Sequence, residues 1–265
     1  MLFDNYQRFI KYKLKEISSK DQLRQLKTSK RNKNCFVIND NLKLLSFACN
    51  DYLSLSTDRR LIEAAQKATV KYGTGSGASR LITGNNPLYQ KLENDLRKMK
   101  NTEACIVFGS GFLANLGVIS ALANKNDLIL IDSLSHSSSF MGTKLTKAKV
   151  VKYKHNCIKD LEKKLIKYRK KYQKCMILSE GVFSMDGDLA PQEEISYLKN
   201  KYNALFILDD AHGLGVLGDG TGSTSIFKKN VKVDVYVGTL SKSLGSYGGF
   251  ICGNKSLIEF LVNRC

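Results

Sequence analysis

Short apolar runs alternate with longer amphipathic stretches over most of the chain. The runs occupy residues 104–108, 127–132, 149–153, 175–180, 205–210, 233–238 and 248–253. Helical periodicity marks residues 113–124, 158–173 and 191–202, which lie between several of them. Buried strands that alternate with helices predict a three-layer α/β fold, with a mostly parallel sheet covered on both faces.

The first part of the chain follows a different pattern. Residues 1–20 predict a basic amphipathic helix, and a short hairpin-like segment, CFVINDNLKLLSF, follows the polar stretch SKRNKN. After Pro87, regularly spaced apolar residues predict a further helix. We therefore expect an N-terminal arm of residues 1–45 and a larger domain of residues 46–265.

The charge of the chain narrows the choice of partners. Its 265 residues carry a formal charge of +18, from 42 lysines and arginines against 24 acidic residues. The sequence shows no zinc-finger spacing and no aromatic-basic RNA-binding pattern, so we expect no nucleic-acid partner. A solvated lysine-rich surface and attraction of an anionic substrate explain the charge equally well. No apolar run has the length that crosses a bilayer, and we expect no membrane partner.

The seven cysteines form no CxxC pair and no metal-ligand cluster with histidine. Several lie in apolar strings such as CIVF and CMIL. This placement is typical of buried thiols in a reducing compartment. We expect a cytoplasmic protein without a bound metal.

Chemically active residues recur directly after the apolar runs. The segments that follow five of the runs are GSGF, SLSH, EGVFS, DDAH and TLSK. In open α/β sheets, ligands bind beyond the carboxyl ends of the strands. The repeated placement predicts an enzyme active site at that edge of the sheet.

Lys242 lies in a glycine-rich turn just after the run VDVYVG. Burial among small groups lowers the pKa of an amine and makes it a nucleophile that can form a Schiff base. Asp209 can face a protonated ring nitrogen, and the glycine turn GSGF before a helix can bind phosphate. An amine, a carboxylate and a phosphate site together indicate the cofactor pyridoxal 5′-phosphate (PLP).

Each of these residues also has a simpler interpretation. Asp209 can cap a helix or bind a metal, although no second histidine cluster supports a metal. His136 can be a surface-loop histidine, Ser184 a turn residue, and the glycine turn GSGF a plain structural turn. GTLSKS lacks the glycine that precedes the lysine of a P-loop. Their recurrence after successive strands favours the catalytic interpretation.

Several longer motifs resemble those of the α-oxoamine synthases, which are fold-type I PLP-dependent enzymes. The motifs are NDYLSLS, GTGSGASRLITGNNPLYQKLE, GSGFLAN, DSLSHSS, EGVFSMDGDLAP, DDAHGLGVLG and GTLSKSLGSYGG. They follow one another in the family's order over about residues 24–253. The resemblance implies that residues 46–265 form the PLP-binding large domain of such an enzyme and that the protein is a homodimer.

The resemblance also implies catalytic roles for particular residues. Lys242 is the residue that forms the Schiff base with the cofactor, and Asp209 pairs with the pyridine nitrogen. His212 and Ser184 bond near the phenolic oxygen of the ring. His136 stacks over the ring face and orients the substrate.

Other residues are implied to hold the phosphate or the substrate. The backbone of Gly111 and Phe112 and the hydroxyl of Thr239 hold the cofactor, chiefly at its phosphate. Arg24, in DQLRQL, aligns with an arginine that contacts substrate. Asn50 begins the NDYL motif near the active site and is expected to bind substrate.

Within the family, the chain is most similar to the members that condense L-alanine with pimeloyl-CoA, or with a pimeloyl-carrier thioester, in biotin biosynthesis. The implied reaction is a decarboxylative condensation that releases carbon dioxide and CoA. Sister enzymes, such as 2-amino-3-ketobutyrate CoA ligase, 5-aminolevulinate synthase and the sphingolipid-type synthases, are the first alternative. An inactive remnant that binds nucleic acid or a protein partner through its charge is the second.

The chain departs from the family pattern at two points. Ser54 stands where the NDYLG motif has glycine. Family members continue through a C-terminal small domain that closes over the site, whereas this sequence stops at Cys265. The difference predicts a large domain without its small domain, weak or absent turnover, and exposed apolar surface where the small domain docks.

Overall fold

The N-terminal unit, Met1–Ala48, contains one helix and a small antiparallel sheet. Its elements are α1 (Leu2–Ser18), β1 (Lys30–Arg31), β2 (Phe36–Asn39) and β3 (Leu42–Leu45). The structure, a computed structural model, describes residues 2–31, 36–39, 42–228 and 231–265. Residues 32–35, which include Cys35, and residues 40–41, at the centre of the hairpin-like segment, lie outside the described residues.

The apolar runs predicted as strands are all strands in the second unit, Cys49–Cys265. These strands are β4 (Ala104–Phe108), β5 (Leu128–Asp132), β6 (Lys149–Tyr153), β7 (Cys175–Glu180), β8 (Leu205–Asp209), β9 (Val235–Thr239) and β10 (Gly249–Gly253). The helices of this unit are α2 (Arg59–Tyr72), α3 (Pro87–Met99), α4 (Gly111–Leu122), α5 (Ser137–Lys144), α6 (Ile158–Tyr168), α7 (Gln192–Lys201) and α8 (Lys255–Arg264). Across the described ranges, we find no helix with both the length and the hydrophobicity that a membrane crossing requires.

The strands form one sheet in the order β4-β10-β9-β8-β7-β5-β6. Strands β5 to β9 are joined by parallel pairing, whereas β10 runs antiparallel to both of its neighbours, β4 and β9. Six strands therefore end at the same edge of the sheet, and β10 begins there. The mostly parallel sheet predicted from the sequence is confirmed.

The hydrophobic core lies on both faces of this sheet. In β5, Leu128 and Leu130 belong to the core on one face, and Ile129 and Ile131 belong to the core on the other. Helices α3, α6 and α7 contribute apolar side chains to the first core, and α4 and α8 contribute to the second. A strand that is buried on both faces reads as a continuous apolar run. The three-layer arrangement follows, as the sequence predicts.

Helices α4 and α5, at the edge of the site, are positioned by a cap and by close packing. Ser110 precedes α4, and its Oγ accepts a hydrogen bond of 3.1 Å from the N–H of Leu113. This cap starts α4 two residues earlier than its apolar periodicity predicts. Helix α5 has no apolar periodicity and was not predicted. It lies against α4 because Gly142 is small: a Cβ there would come within 3.1 Å of the Asn115 carbonyl oxygen.

Candidate active site

A cavity of about 220 Å³ opens at the edge where the parallel strands end. Residues that follow β4, β5, β8 and β9, with the last residue of β7, line it. Among the predicted site residues, those that line it are Gly111, Phe112, His136, Asp209, His212, Thr239 and Lys242. The topology of the sheet therefore gathers residues that lie far apart in the sequence.

The amine of Lys242 lies inside this cavity, three residues after β9 ends. Its Nζ is 2.5 Å from Nε2 of His212. Burial lowers the pKa of Lys242, and the nearby carboxylates of Asp209 and Glu180 oppose that shift. Burial and the Lys242 charge lower the pKa of His212 to about 4, so this imidazole is neutral at pH 7. The amine thus has a neutral hydrogen-bonding neighbour and a larger share of its nucleophilic form than a solvated lysine.

The glycine-rich sequence around Lys242 has a steric cause. The N–H of Gly245 donates to the carbonyl oxygen of Lys242 and closes a turn. Gly245 has a φ of +61°, and a Cβ there would lie 2.5 Å from the backbone of Leu55 and Ser56. Because a larger residue meets both strain and a clash, glycine is required where the lysine turn packs against the NDYL segment.

Asp209 is the last residue of β8 and is held by two donors. Its Oδ2 accepts 2.7 Å from Nδ2 of Asn115, and its Oδ1 accepts 3.1 Å from the N–H of Ala211. The same Asn115 amide donates to Oγ of Ser138 at 3.0 Å. Asn115 is buried on α4 and was not predicted as a site residue, although it ends the GSGFLAN motif. The two hydrogen bonds therefore fix the orientation of the Asp209 carboxylate, which lines the cavity.

The start of α4 forms a polar corner of the cavity. The first N–H groups of a helix lack partners within the helix, and the helix dipole favours an anion there. Gly111 begins this helix close to Thr239: a Cβ at Gly111 would lie 3.4 Å from Cβ of Thr239. Oγ1 of Thr239 lies 2.8 Å from Oγ of Ser241 and 3.0 Å from the carbonyl oxygen of Gly248. The start of α4 and the hydroxyl-bearing residues Thr239 and Ser241 thus line the same part of the cavity.

His136 caps α5 at the mouth of the cavity. Its Nδ1 accepts 3.2 Å from the N–H of Ser138 and lies 2.7 Å from the Ser138 hydroxyl. The backbone N–H of His136 donates to Oε1 of Glu180, the last residue of β7. Sequence reasoning missed Glu180, although it opens the EGVFS motif. The residue is exposed and also lines the cavity.

Glu180 gives the stability of the protein a pH dependence. Burial, with the Asp209 charge second, raises its pKa to about 8, far above the ordinary glutamate value of 4.5. The folded protein then holds a proton that the unfolded chain releases above pH 4.5, so this contribution to stability is complete below that pH and is lost as the pH rises towards 8. We expect Glu180→Gln, which cannot ionise, to reduce the loss of unfolding free energy between pH 5 and pH 8.

Urea titrations at the two pH values measure this effect, which we expect to be on the order of a few kcal/mol. Glu194→Gln, on the exposed side of α7, is the matched control and should leave the pH dependence as it is in the wild type. An equal loss of stability in the Glu180→Gln protein and the wild type would show that Glu180 is already ionised at pH 5.

Tyr52 connects the NDYL segment to the cavity. Its hydroxyl lies 2.6 Å from Nδ1 of His212 and donates to Oδ1 of Asn50 at 3.3 Å. Asn50 itself is exposed and reaches the cavity residues through Tyr52. Ser54, at the position where the family has glycine, takes the left-handed conformation with a φ of 54°. That conformation favours glycine, which explains the family preference.

Two predicted site residues, Ser184 and Arg24, do not line the cavity. Ser184 is exposed in the loop after β7, and among the described residues it does not line the cavity. Arg24 is exposed in the N-terminal unit. The roles that the resemblance implies for both residues stay predictions.

The fold and the cavity agree with the comparisons to known proteins. The sequence profile of the family described as aminotransferase class I and II matches residues 43–264, and the chain belongs to this family. The 8-amino-7-oxononanoate synthase of Beijerinckia indica is 43% identical over 256 residues, which cover 97% of this chain and 66% of the relative. The enzyme of the same name from Granulibacter bethesdensis matches with the same identity and coverage. The chain therefore spans just under two thirds of the length of these relatives.

Solved structures show the same relationship. Serine palmitoyltransferase of Sphingomonas wittichii superposes with a TM-score of 0.87 at 31% identity, covering 100% of this chain and 67% of that one. The 8-amino-7-oxononanoate synthase of Francisella tularensis superposes with a TM-score of 0.69 at 32% identity, covering 82% of this chain and 60% of that one.

Proposed function

We propose that the cavity binds PLP and that Lys242 attaches it covalently. One observation carries this proposal: the Lys242 amine, the Asp209 carboxylate and the N-terminus of α4 all line one cavity. These groups match the aldehyde, the ring nitrogen and the phosphate of the cofactor in chemical type. A structural neighbour of this chain, a serine palmitoyltransferase, is described as holding PLP at its lysine.

Each residue has a separate task in this proposal. The N–H groups of Gly111 and Phe112, with the hydroxyl of Thr239, hold the phosphate. Asp209, oriented by Asn115, pairs with the ring nitrogen. When bound, the cofactor supplies an aldehyde and an electron-withdrawing ring.

The remaining residues handle the substrate and its proton. Lys242 removes the proton from the α-carbon of the amino-acid substrate and later returns one, for which its lowered pKa is suited. His136 covers the ring face and limits access of water. His212 and Ser184 are assigned to the phenolic oxygen of the ring.

The whole protein is proposed to be an 8-amino-7-oxononanoate synthase. It condenses L-alanine with pimeloyl-CoA, or with a pimeloyl-carrier thioester, and releases carbon dioxide and free CoA. The relatives of that name, at 43% identity, support this choice over the sister enzymes. The serine palmitoyltransferases, at 31% identity or less among the neighbours cited, define the alternative. Arg24 and Asn50 are assigned to the substrate, and a homodimer is proposed as the working assembly.

The choice of amino acid can be measured on the PLP-loaded chain. L-Alanine, glycine and L-serine are each titrated, and the change in cofactor absorbance gives a dissociation constant. The proposal requires L-alanine to bind with the lowest constant. A lower constant for glycine or serine would assign the chain to a sister enzyme while leaving the cofactor proposal intact.

Asp209→Asn tests the cofactor proposal at the ring nitrogen. The substitution keeps the shape of the side chain but removes the charge that stabilises a protonated ring. We expect the dissociation constant for PLP to rise by about tenfold or more, because a charge-assisted hydrogen bond is lost. Asp95→Asn, exposed on α3, is the control and should bind PLP as the wild type does. Unchanged affinity in the Asp209→Asn protein would remove Asp209 from the site.

A further inference from the structure

Two buried cysteines lie directly opposite each other at the edge of the main sheet. Cys105 of β4 and Cys252 of β10 are paired in the antiparallel register. Their side chains are 7% and 0% exposed, and both belong to the core that α3 and α7 cover. Opposed residues of an antiparallel pair point to the same face, with Cβ atoms about 4.5–5.5 Å apart.

The two thiols also touch. A hydrogen bond with the Cys252 thiol and burial raise the pKa of the Cys105 thiol, so Cys105 is protonated and unreactive while β4 stays in place. Residues that face each other across antiparallel strands have Cα atoms about 4.5 or 5.5 Å apart. Disulfides span Cα separations of about 4.4–6.8 Å. The register therefore already supplies the spacing that a disulfide needs.

The position of β4 gives an oxidant a route to these thiols. β4 is the outermost strand, and its only strand partner among the described residues is β10. Local opening of an edge strand requires less free energy than unfolding of the whole domain. Cys175, also buried, lies in β7 between β5 and β8 and faces Leu128 of β5. Its thiol is shielded by strands on both sides.

We propose that Cys105 and Cys252 form a cross-strand disulfide when the protein meets a low-molecular-weight disulfide oxidant. On opening of β4, one thiolate attacks the oxidant, forms a mixed disulfide and releases one small thiol. The second cysteine then attacks the protein sulfur, which closes the cross-strand bond and releases the other small thiol. Two protein thiols lose two electrons and two protons, and the oxidant gains both.

The disulfide restrains the polar corner of the cavity. β4 leads directly into the turn that starts α4 at Gly111, and β10 begins at Gly249, just after the Lys242 turn. At Gly249 a Cβ would lie 2.4 Å from the N–H nitrogen of Gly111, so these two segments already pack closely. A covalent bond between the strands holds the two segments together during local opening. Formation of the Cys105–Cys252 disulfide does not depend on the identity of the substrate or on cofactor binding.

Differential labelling of the wild-type chain tests the proposal. The protein is incubated with oxidised glutathione, the remaining thiols are then blocked with N-ethylmaleimide, and the products are mapped by mass spectrometry without reduction. We expect a peptide pair that joins Cys105 to Cys252, lighter by two hydrogens and separated by dithiothreitol, at least tenfold more abundant than any other cysteine pair.

Two variants make the result specific. Cys105→Ser should eliminate the joined peptide, and Cys175→Ser, the same change at a buried cysteine of a central strand, should retain it. A disulfide that joins other cysteines, glutathione adducts without an internal bond, or unmodified Cys105 and Cys252 in the folded wild type would each overturn the proposal. The peptide map of the oxidised wild-type protein tests the proposal even where a serine variant fails to fold.

Discussion

Replacing Lys242 with alanine will abolish covalent attachment of PLP to this chain. The amine is the group in the cavity that can bond to an aldehyde, and the structure sets it 2.5 Å from a neutral imidazole. The variant should show no visible absorbance from covalently bound cofactor, and borohydride should fix no cofactor to the protein. Binding through the phosphate corner and Asp209 should persist in non-covalent form.

Loss of the amine also removes the group that moves the substrate proton. Proton transfer by a positioned side chain contributes about 10²–10⁴-fold to a rate. Exchange of the α-proton of L-alanine with solvent deuterium, followed by NMR on the PLP-loaded protein, measures this step alone. Lys255→Ala, exposed at the start of α8, should exchange as the wild type does. Exchange at the wild-type rate in the Lys242→Ala protein would mean that a base other than Lys242 removes the α-proton.

Replacing Lys100 with methionine will destabilise the fold more than any exposed substitution. Lys100 donates to Oδ2 of Asp210 at 3.0 Å and to the carbonyl oxygen of Thr221 at 2.7 Å. Both charged side chains are only 2% exposed. Without Lys100, Asp210 keeps the hydrogen bond from the N–H of Ser223 but loses its positive partner in a site closed to water, at a cost of about 3–5 kcal/mol. Urea titration should show this decrease in the free energy of unfolding.

Lys199→Met is the matched control, because it removes a lysine from a second ion pair of the same unit. Lys199 pairs with Asp234 at 2.5 Å, but Asp234 is 32% exposed and also accepts from the N–H of Phe206. Water can therefore solvate Asp234 after the lysine is lost, and we expect a decrease of about 1 kcal/mol. Equal decreases in the two variants would contradict the argument that burial sets the cost.

The strands and their order along the chain were predictable because most of them, β5, β7, β9 and β10 above all, are buried on both faces. In β5 every residue from Leu128 to Asp132 is buried, so no polar alternation interrupts the apolar run. Helix α5 was not predictable in this way. Its sequence, SSSFMGTK, has no apolar periodicity and few strong helix formers, and it depends on the His136 cap and on close packing with α4.

The same distinction separates the site residues that were predicted from those that were missed. Residues such as Asp209 and Lys242 follow strands, and the topology of a parallel sheet brings strand ends together. Asn115 and Tyr52 act through contacts that no local pattern encodes, since they bond to residues 94 and 160 positions away. A buried asparagine in an otherwise apolar helix was the available signal for the first, and the NDYL motif for the second.

The most direct measurement of the central claim is a peptide map of the PLP-loaded wild-type chain after borohydride reduction. The account predicts one major pyridoxyl-modified peptide, the one that contains Lys242. Label spread over exposed lysines, with Lys242 unmodified, would contradict it.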